Sequence, residues 1–460
     1  MKTIIDPPDA LGAGLAAIRA EFQVPAGFPP AVLAAAELAA KSVPTGHVDR
    51  TGRAFVTLDP APSTDLDQAF AIEAAGADLI LHYAIADTDV CVSDGDALDR
   101  EAWRRGETLY LPDGKAGLYP PVLSEGAASL LPDGPRAAVV FTVRVAPEGG
   151  VRLDGAERAL IRSRAKLAYE TVRDADLPAG FAELAARIAA AEERRGAARV
   201  DPPEQEVAGL PGGGYTLAFR PRLLSEERNA ALSLATNLAV ADALQVHGTG
   251  LFRVMPAPDE RAVARLRHTA QALGLDWPAN QTLKDFERTL AASDPRQAAF
   301  MLALRRASPG ASYQPWRPGV VPWHAAMAAT YCHATAPLRR LADRYVIRAA
   351  LAVANGQAVP AVVTEAFEKL PPVMARADAI AGRINRAVID LAEAAMLAGQ
   401  VGQRFAAVVT DNDEKGARIQ LRDLAVAARL PDRDLHPGDA LDVRLVAADP
   451  VKRLVTFARA

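Results

Sequence analysis

Residues 57–70 have the sequence TLDPAPSTDLDQAF, and this stretch carries the strongest indication of fold and chemistry in the chain. Asp59, Asp65 and Asp67 follow a short apolar run, and the prolines between them prevent a regular helix or strand. Such a loop can gather three carboxylates at one sheet edge, where they repel each other unless a cation neutralises them. Oxygen ligands without His or Cys suit Mg²⁺ or Mn²⁺. One interpretation of the loop is therefore a metal site of the kind that enzymes use to hydrolyse phosphodiesters.

The same loop has a second interpretation, because Asp is also frequent in solvated turns. An EF-hand is excluded, since the Gly and Glu positions of that motif are not matched. Taken alone, the loop favours neither the metal site nor the solvated turn.

A basic segment, YCHATAPLRRLADRYVIR, occupies residues 331–348. We expect a turn around Thr335 and a helix that begins near Arg339, so that the arginines lie in its first turns. These arginines are Arg339, Arg340, Arg344 and Arg348. Arginine forks bind phosphate, and a helix N-terminus also favours anions. The alternative is a solvated helix face on which Asp343 pairs internally, and the segment alone favours that alternative.

The composition indicates a soluble, globular protein of two or three domains, with 50% hydrophobic and 23% charged residues among 460. The net charge of −4 counts against a surface that coats nucleic acid, although a basic internal channel remains compatible with it. Cys91 and Cys332 form no disulfide framework and no CxxC zinc pattern. The N-terminus lacks a signal peptide, and the apolar stretch 230–246 contains Asn237 and Asp242. We therefore expect a cytoplasmic protein without a membrane span, and a monomer.

The order of patterns along the chain predicts an α+β protein of three parts. Residues 1–45 carry short helical patterns, near 9–22 and after Phe28, which fit either a helix-turn-helix-like appendage or an arm that packs on the next domain. Residues 46–400 form the main domain. Its first third is mainly strands, including a hairpin around Gly76 and a helix at 97–105, and helices dominate after residue 160. The predicted helices there are 225–246, 259–273, 282–292 and 373–397, with a loop at 202–214.

Residues 401–460 change character and show five short strands separated by turn residues. The predicted strands are 403–410, 417–421, 425–428, 440–446 and 454–458. Five short strands in so few residues fit an OB-type β-barrel, which commonly binds single-stranded nucleic acid.

Several long motifs in one order resemble the ribonuclease II / ribonuclease R family and its RNB domain. The resemblance covers roughly residues 46–400 and begins with the acidic loop. It continues through 81–114, 123–143 and 251–275 to YCHATAPLRRLADRY at 331–345, and the tail from Val401 resembles the S1-type OB domain of that family. The resemblance implies an RNB-type catalytic domain with a mixed sheet and many helices, a short helical N-terminal region and an S1-like barrel.

The family's activity implies that this chain is a 3′→5′ exoribonuclease, which hydrolyses single-stranded RNA to nucleoside 5′-monophosphates with Mg²⁺ or Mn²⁺. Asp59, Asp65 and Asp67 match the acidic catalytic residues, and Gln68 completes the implied set of metal ligands. Arg339 and Arg340 match an arginine pair of which one member contacts the scissile phosphate. The implied RNA contacts are Tyr110, which matches a tyrosine stacked on the terminal nucleotide, and Tyr331, His333, Thr335, Arg344 and Asn385. For His333 and Thr335 a structural role is the alternative.

The chain departs from the family's pattern at several positions. The family's loop ends in Asp-Asp, where this chain has Asp67-Gln68, and a neutral amide predicts a weaker hold on a second metal ion. Ala336 replaces a serine, and Asn385 stands where a glutamate is expected. Residues 1–45 are too few for the family's two cold-shock domains. These departures leave an RNA-binding regulator on a degenerate scaffold as the alternative, and a hydrolase of another phosphodiester as a weaker one.

Overall fold

The computed structural model describes residues 3–4, 10–197, 204–209, 215–220, 222–291, 294–307, 309–414, 416–422 and 424–460. Its helices are α1 Ala10–Glu21, α2 Pro30–Ala39, α3 Ala97–Arg105, α4 Phe181–Arg195, α5 Leu224–Val246, α6 Glu260–Ala272, α7 Leu283–Glu287, α8 Pro295–Ala307, α9 Leu341–Ala354 and α10 Ala361–Leu397. Within these ranges, no helix is long and apolar enough to cross a membrane.

The strands of the first half are β1 Thr3–Ile4, β2 Val48–Asp49, β3 Phe55–Asp59, β4 Gln68–Ala75, β5 Asp78–Ala86, β6 Leu109–Leu111, β7 Gly114–Ala116, β8 Arg136–Val145, β9 Val151–Ile161, β10 Ser163–Ala168, β11 Glu204–Gly209 and β12 Tyr215–Arg220. Those of the second half are β13 Leu251–Val254, β14 Ser312–Pro315, β15 Trp323–His324, β16 Ala329–Thr330, β17 Arg404–Asp413, β18 Gly416–Leu421, β19 Ala427–Leu430, β20 Ala440–Asp449 and β21 Leu454–Arg459.

A seven-stranded mixed sheet, in the order β10-β3-β4-β5-β8-β9-β2, organises the main domain. Side chains alternate between its faces, so Leu81, Tyr83 and Ile85 of β5 join one buried cluster while Ala84 and Ala86 join another. The first cluster also contains residues of α4, α5 and α9, which cover that face. Burial on both faces explains why β5 is almost continuously apolar.

The predicted hairpin around Gly76 is confirmed, because β4 and β5 pair in antiparallel register from Gln68–Ile85 to Ala75–Asp78. Gly76 itself has a φ of +65°, which a residue without a Cβ adopts at little cost. Two predictions for the helical part were wrong in extent. Helix α7 ends at Glu287, and α10 begins at Ala361 and continues through Pro371 and Pro372. The predicted loop at 202–214 contains strand β11, and its residues 202–203 and 210–214 lie outside the described part of the chain.

The C-terminal strands form the predicted antiparallel barrel, in the order β19-β18-β17-β20-β21. Its interior is filled by a separate cluster that includes Val409, Ile419, Val443 and Phe457. Leu397 at the end of α10 belongs to the same cluster, so the long helix leads directly into the barrel core.

The N-terminal helices pack against the main domain and belong to different cores. Leu11, Leu15 and Ile18 of α1 share a cluster with residues of α10, whereas Val32 and Ala36 of α2 belong to the cluster on the main sheet. This arrangement favours a packing arm over an independent helix-turn-helix unit.

Candidate active site

The main sheet brings the two ends of the acidic loop together. Strand β3 ends at Asp59 and its antiparallel neighbour β4 begins at Gln68, so the loop 60–67 closes over one sheet edge. Ser129 holds this loop in shape, because its Oγ accepts from the Leu66 amide at 2.9 Å and donates to the Thr64 carbonyl at 2.7 Å.

Asp59 and Asp67 are the two aspartates of the acidic loop whose pKa is raised by burial. Burial raises the pKa of Asp59 to about 6, with Arg339 opposing the rise and Asp65 adding to it. Burial raises the pKa of Asp67 to about 7, although Arg339 and the amide of Leu338 oppose the rise. The Leu338 N–H donates to Asp67 Oδ1 at 2.7 Å, and Arg339 Nε lies 3.4 Å from Oδ2. These carboxylates are held where their negative charge is costly without a cation.

Asp65 has different surroundings. Its Oδ1 lies 2.9 Å from Lys115 Nζ, and its Oδ2 accepts a long hydrogen bond from the Tyr110 hydroxyl at 3.4 Å. Lys115 also lies 3.2 Å from Glu125. The sequence analysis did not single out Lys115, because one lysine in a strand carries no local signal.

The donor set fits a divalent cation in part. Asp59 Oδ2 is buried and has no hydrogen-bond partner among the described residues, which is the state expected of an oxygen that binds a cation. Within the same residues, no group of three or more His, Cys, Asp or Glu side chains is placed to hold a metal. Asp59 and Asp67 are thus the carboxylates that could hold the ion, while Asp65 is paired with Lys115.

The structure argues against Gln68 as a metal ligand. Its Oε1 accepts hydrogen bonds from the Tyr83 hydroxyl at 2.6 Å and from Ser233 Oγ at 3.1 Å. The two hydroxyls also lie 2.6 Å from each other and carry one hydrogen each, so a cation would have to displace at least one donor from the amide oxygen. The side chain is buried and fixes β4 to β5 and α5 at this point.

Arg339 and Arg340 precede the helix, which corrects the expected helix start. Helix α9 begins at Leu341. The fully buried carboxylate of Asp343 accepts from the amides of Thr335 at 3.0 Å and Ala336 at 2.8 Å. It also accepts from Arg340 Nε at 3.0 Å and Nη2 at 2.9 Å. Asp343 therefore holds both the turn and the Arg340 side chain in position. The Arg339 side chain, by contrast, is 46% exposed and lies beside Asp67.

Arg344 is part of the core, which corrects the expectation that it contacts RNA. Its side chain is 2% exposed, with Nη1 2.7 Å from Asp99 and Nε 2.9 Å from Asp89. Its Nη2 donates to the Val92 carbonyl at 2.8 Å. Arg348 pairs with Asp94 in the same network.

Tyr331 and Thr335 form one wall, since both lie within hydrogen-bond distance of Asn237, and the ring of His333 contacts that of Tyr331 edge-on. His333 Nδ1 is hydrogen-bonded to the Tyr313 hydroxyl at 2.8 Å, and burial lowers its pKa well below the usual value, so the ring is neutral. Asn237 Nδ2 donates to the Tyr331 hydroxyl at 3.2 Å, and Asn237 Oδ1 accepts from the Ala334 amide at 2.9 Å. These contacts favour the structural interpretation of His333, and they identify Asn237 as a site residue that the sequence analysis missed.

A cavity of about 630 Å³ lies on the inner side of this wall. It is lined by residues of the sheet edge, of α5 and of the basic segment. Among them are Gln68, Tyr169, Asn229, Ser233, Tyr331, Thr335, Arg339 and Arg340. Its size suits a small organic group such as a nucleotide.

Tyr110 is a surface residue. It lies on β6 with 55% of its area exposed, above Asp65. Asn385 is exposed on α10 and lines a different cavity of about 680 Å³, between α8, α10 and the barrel. This second cavity is also lined by Arg305, Arg306, Arg386, Arg418 and Arg429.

Comparison with known proteins identifies the family. Residues 48–355 match the RNB domain. The chain belongs to the RNB-domain family. Residues 403–460 match the C-terminal S1 domain of RNase II-type exonucleases, so the predicted RNB-plus-S1 architecture is confirmed.

Relatives and solved structures agree with this membership. The chain is 26% identical to ribonuclease R of Aquifex aeolicus and 28% identical to exoribonuclease 2 of Cronobacter sakazakii, over 95% and 84% of its length. It spans 64% and 63% of those relatives. Mycoplasma genitalium RNase R, solved with ribose-methylated single-stranded RNA, shares the fold with a TM-score of 0.87, at 20% identity over 98% of this chain and 78% of its own. Yeast Ssd1, described as a pseudonuclease, has a TM-score of 0.69 at 16% identity over 99% of this chain and 59% of its own.

Proposed function

We propose that this RNB-domain chain is a 3′→5′ exoribonuclease that hydrolyses single-stranded RNA to nucleoside 5′-monophosphates with the help of Mg²⁺ or Mn²⁺. The observation that carries the proposal is the position of Arg339. Its guanidinium lies against Asp67 and lines the nucleotide-sized cavity. The guanidinium thus links the cavity to the acidic loop, because it pairs with Asp67 and also opposes the rise in the pKa of Asp59. A cationic group beside two buried carboxylates suits a reacting phosphodiester.

Some residues of the site would supply charge to the reaction, and others would hold those residues in position. A divalent ion, when bound, would activate the attacking water and stabilise the leaving oxygen. Asp59 and Asp67 would hold this ion, and its positive charge would favour their ionised forms. Arg339 would neutralise the scissile phosphate through its guanidinium fork. Arg340, held by Asp343, would keep the basic segment in place.

Tyr110 and the barrel would act on the rest of the RNA. The exposed ring of Tyr110, next to Asp65, would stack on a base near the 3′ end. The arginines around the second cavity, between α10 and the barrel, would hold the phosphates of a longer strand. The acidic net charge of the chain does not oppose this role, because five arginines line this one cavity and set its local charge.

The second candidate is an RNA-binding regulator that does not cleave RNA. One observation favours it: the amide oxygen of Gln68, at the position of a family carboxylate, is engaged by Tyr83 and Ser233. Ssd1, which shares the fold, is described as a pseudonuclease, and this description is consistent with the second candidate. The ion pair of Asp67 with Arg339 favours the enzyme instead.

One assay separates the candidates. A 5′-labelled single-stranded RNA and its DNA analogue are incubated with the protein and Mg²⁺. Progressive shortening of the RNA alone, lost in Asp67→Asn and retained in Asp174→Asn, supports the exoribonuclease. Asp174 is a suitable control because its side chain is 82% exposed, in a surface pair with Arg228. An RNA that is retarded in a gel but stays intact would overturn the enzymatic proposal.

A further inference from the structure

The hairpin formed by β6 and β7, which carries Tyr110, has two faces that contact different parts of the molecule. Strands β6 and β7 pair with Tyr110 opposite Lys115, so both side chains project from one face. On that face both reach Asp65, at 3.4 Å from the Tyr110 hydroxyl and 2.9 Å from Lys115 Nζ. The front face therefore meets the acidic loop.

The reverse face of the hairpin packs on the N-terminal helix. Leu111 and Ala116 are buried in the cluster that contains Leu11, Leu15 and Ile18 of α1. A hairpin with strands of three residues is too short to be stable alone, so its orientation relative to the acidic loop depends on its packing against α1.

An ion pair fixes the tip of the hairpin to the same helix. Arg19 Nε donates to Asp113 Oδ2 at 2.9 Å and Arg19 Nη2 to Asp113 Oδ1 at 2.8 Å. The same Nη2 also donates to the Gly114 carbonyl at 3.4 Å. A two-pronged Arg–carboxylate pair restricts angle as well as distance. The tip therefore cannot tilt without breaking contacts with α1.

We propose that α1 is a positioning element for the terminal nucleotide, with Arg19 and Asp113 as positioning residues that hold Tyr110 at the angle needed for stacking. This inference rests on the proposed stacking role of Tyr110. It gives the N-terminal helix a task in setting the length of RNA that the enzyme retains and hence the length of its final product.

The test compares Arg19→Met, which keeps the aliphatic stem, with the parent protein and with Arg50→Met. Arg50 is a matched control, because its two-pronged pair with Glu157, at 2.7 and 3.0 Å, lies away from the hairpin. We expect Arg19→Met and Asp113→Asn to release a longer final product and to bind a five-nucleotide RNA about fivefold more weakly, the factor that corresponds to a partly exposed ion pair. Arg50→Met should behave as the parent does.

Two further measurements keep the outcome decisive. The exchanged pair Arg19→Asp with Asp113→Arg should restore the parent product length, and amide hydrogen exchange across residues 108–117 should be faster in Arg19→Met but not in Arg50→Met. If Tyr110→Ala lengthens the product while Arg19→Met and Asp113→Asn leave it unchanged, the positioning role of α1 is overturned and the stacking role stands. If Tyr110→Ala also leaves it unchanged, the stacking role itself fails.

Discussion

Asp67→Asn should remove catalysis and at the same time stabilise the metal-free protein. Raising the pKa of a buried carboxyl from 3.8 to about 7 means that its ionised form costs on the order of 4 kcal/mol at pH 8. Asparagine removes this cost and still accepts from the Leu338 amide, but its NH₂ cannot pair with Arg339, which gives back about 1–2 kcal/mol. We expect a net gain of about 2 kcal/mol, seen as a Tm a few degrees higher at pH 8.

The sign of the pH dependence follows from the raised pKa. Below pH 4 the carboxyl is protonated in both the folded and the unfolded chain, so Asp67→Asn gains nothing there. Between pH 4 and pH 7 the unfolded chain releases its proton first, and the parent loses stability relative to the variant. The advantage of the variant should therefore appear as the pH rises through this interval and stay constant above it.

The assay is thermal unfolding of parent, Asp67→Asn and the exposed control Asp174→Asn at pH 4 and pH 8, with and without Mg²⁺. A bound ion stabilises the folded state by RT ln(1 + [L]/Kd), or about 1.4 kcal/mol at ten times Kd. Mg²⁺ should raise the Tm of the parent more than that of Asp67→Asn. The reasoning would be refuted by a variant less stable than the parent at pH 8 without metal, or by equal Mg²⁺ shifts in both.

Three other substitutions test the assignments. Tyr110→Ala should lengthen the smallest product, because stacking of a base on the ring contributes ~1–3 kcal/mol to RNA binding. The Tm should not change, since the side chain is 55% exposed, and end-labelled product gels and a melting curve check both outcomes. Gln68→Asp should leave the Mg²⁺ dependence of the rate unchanged, because the Gln68 side chain is directed towards Tyr83 and Ser233. A lower Mg²⁺ concentration for the half-maximal rate in this variant would indicate that position 68 belongs to the metal site. Arg344→Met should destabilise the protein by about 3–5 kcal/mol, because it removes the arginine that pairs with the buried carboxylate of Asp99. Chemical denaturation should show this loss, and a loss below about 1 kcal/mol, typical of a surface pair, would favour an RNA contact for Arg344 instead.

Local patterns in the sequence were sufficient to predict several elements and the acidic loop, although not the extent of α7 and α10 or the strand β11. The helix predicted at 97–105 is α3, and the five C-terminal strands form the expected barrel, because hydrophobic period and turn residues act over a few neighbouring positions. The loop of Asp59, Asp65 and Asp67 was recognisable for the same reason: its prolines and carboxylates are adjacent in the chain.

Only the tertiary structure decided which charged groups face the cavity and which are paired within the core. Arg339 and Arg344 look alike in the sequence, yet Arg344 is saturated by Asp99, 245 residues away, while Arg339 stays beside Asp67. Gln68 is likewise engaged by Ser233, 165 residues away. A periodic pattern reports the direction of a side chain relative to its own helix or strand, whereas its partner is chosen by how distant segments pack, and no local signal carries that information.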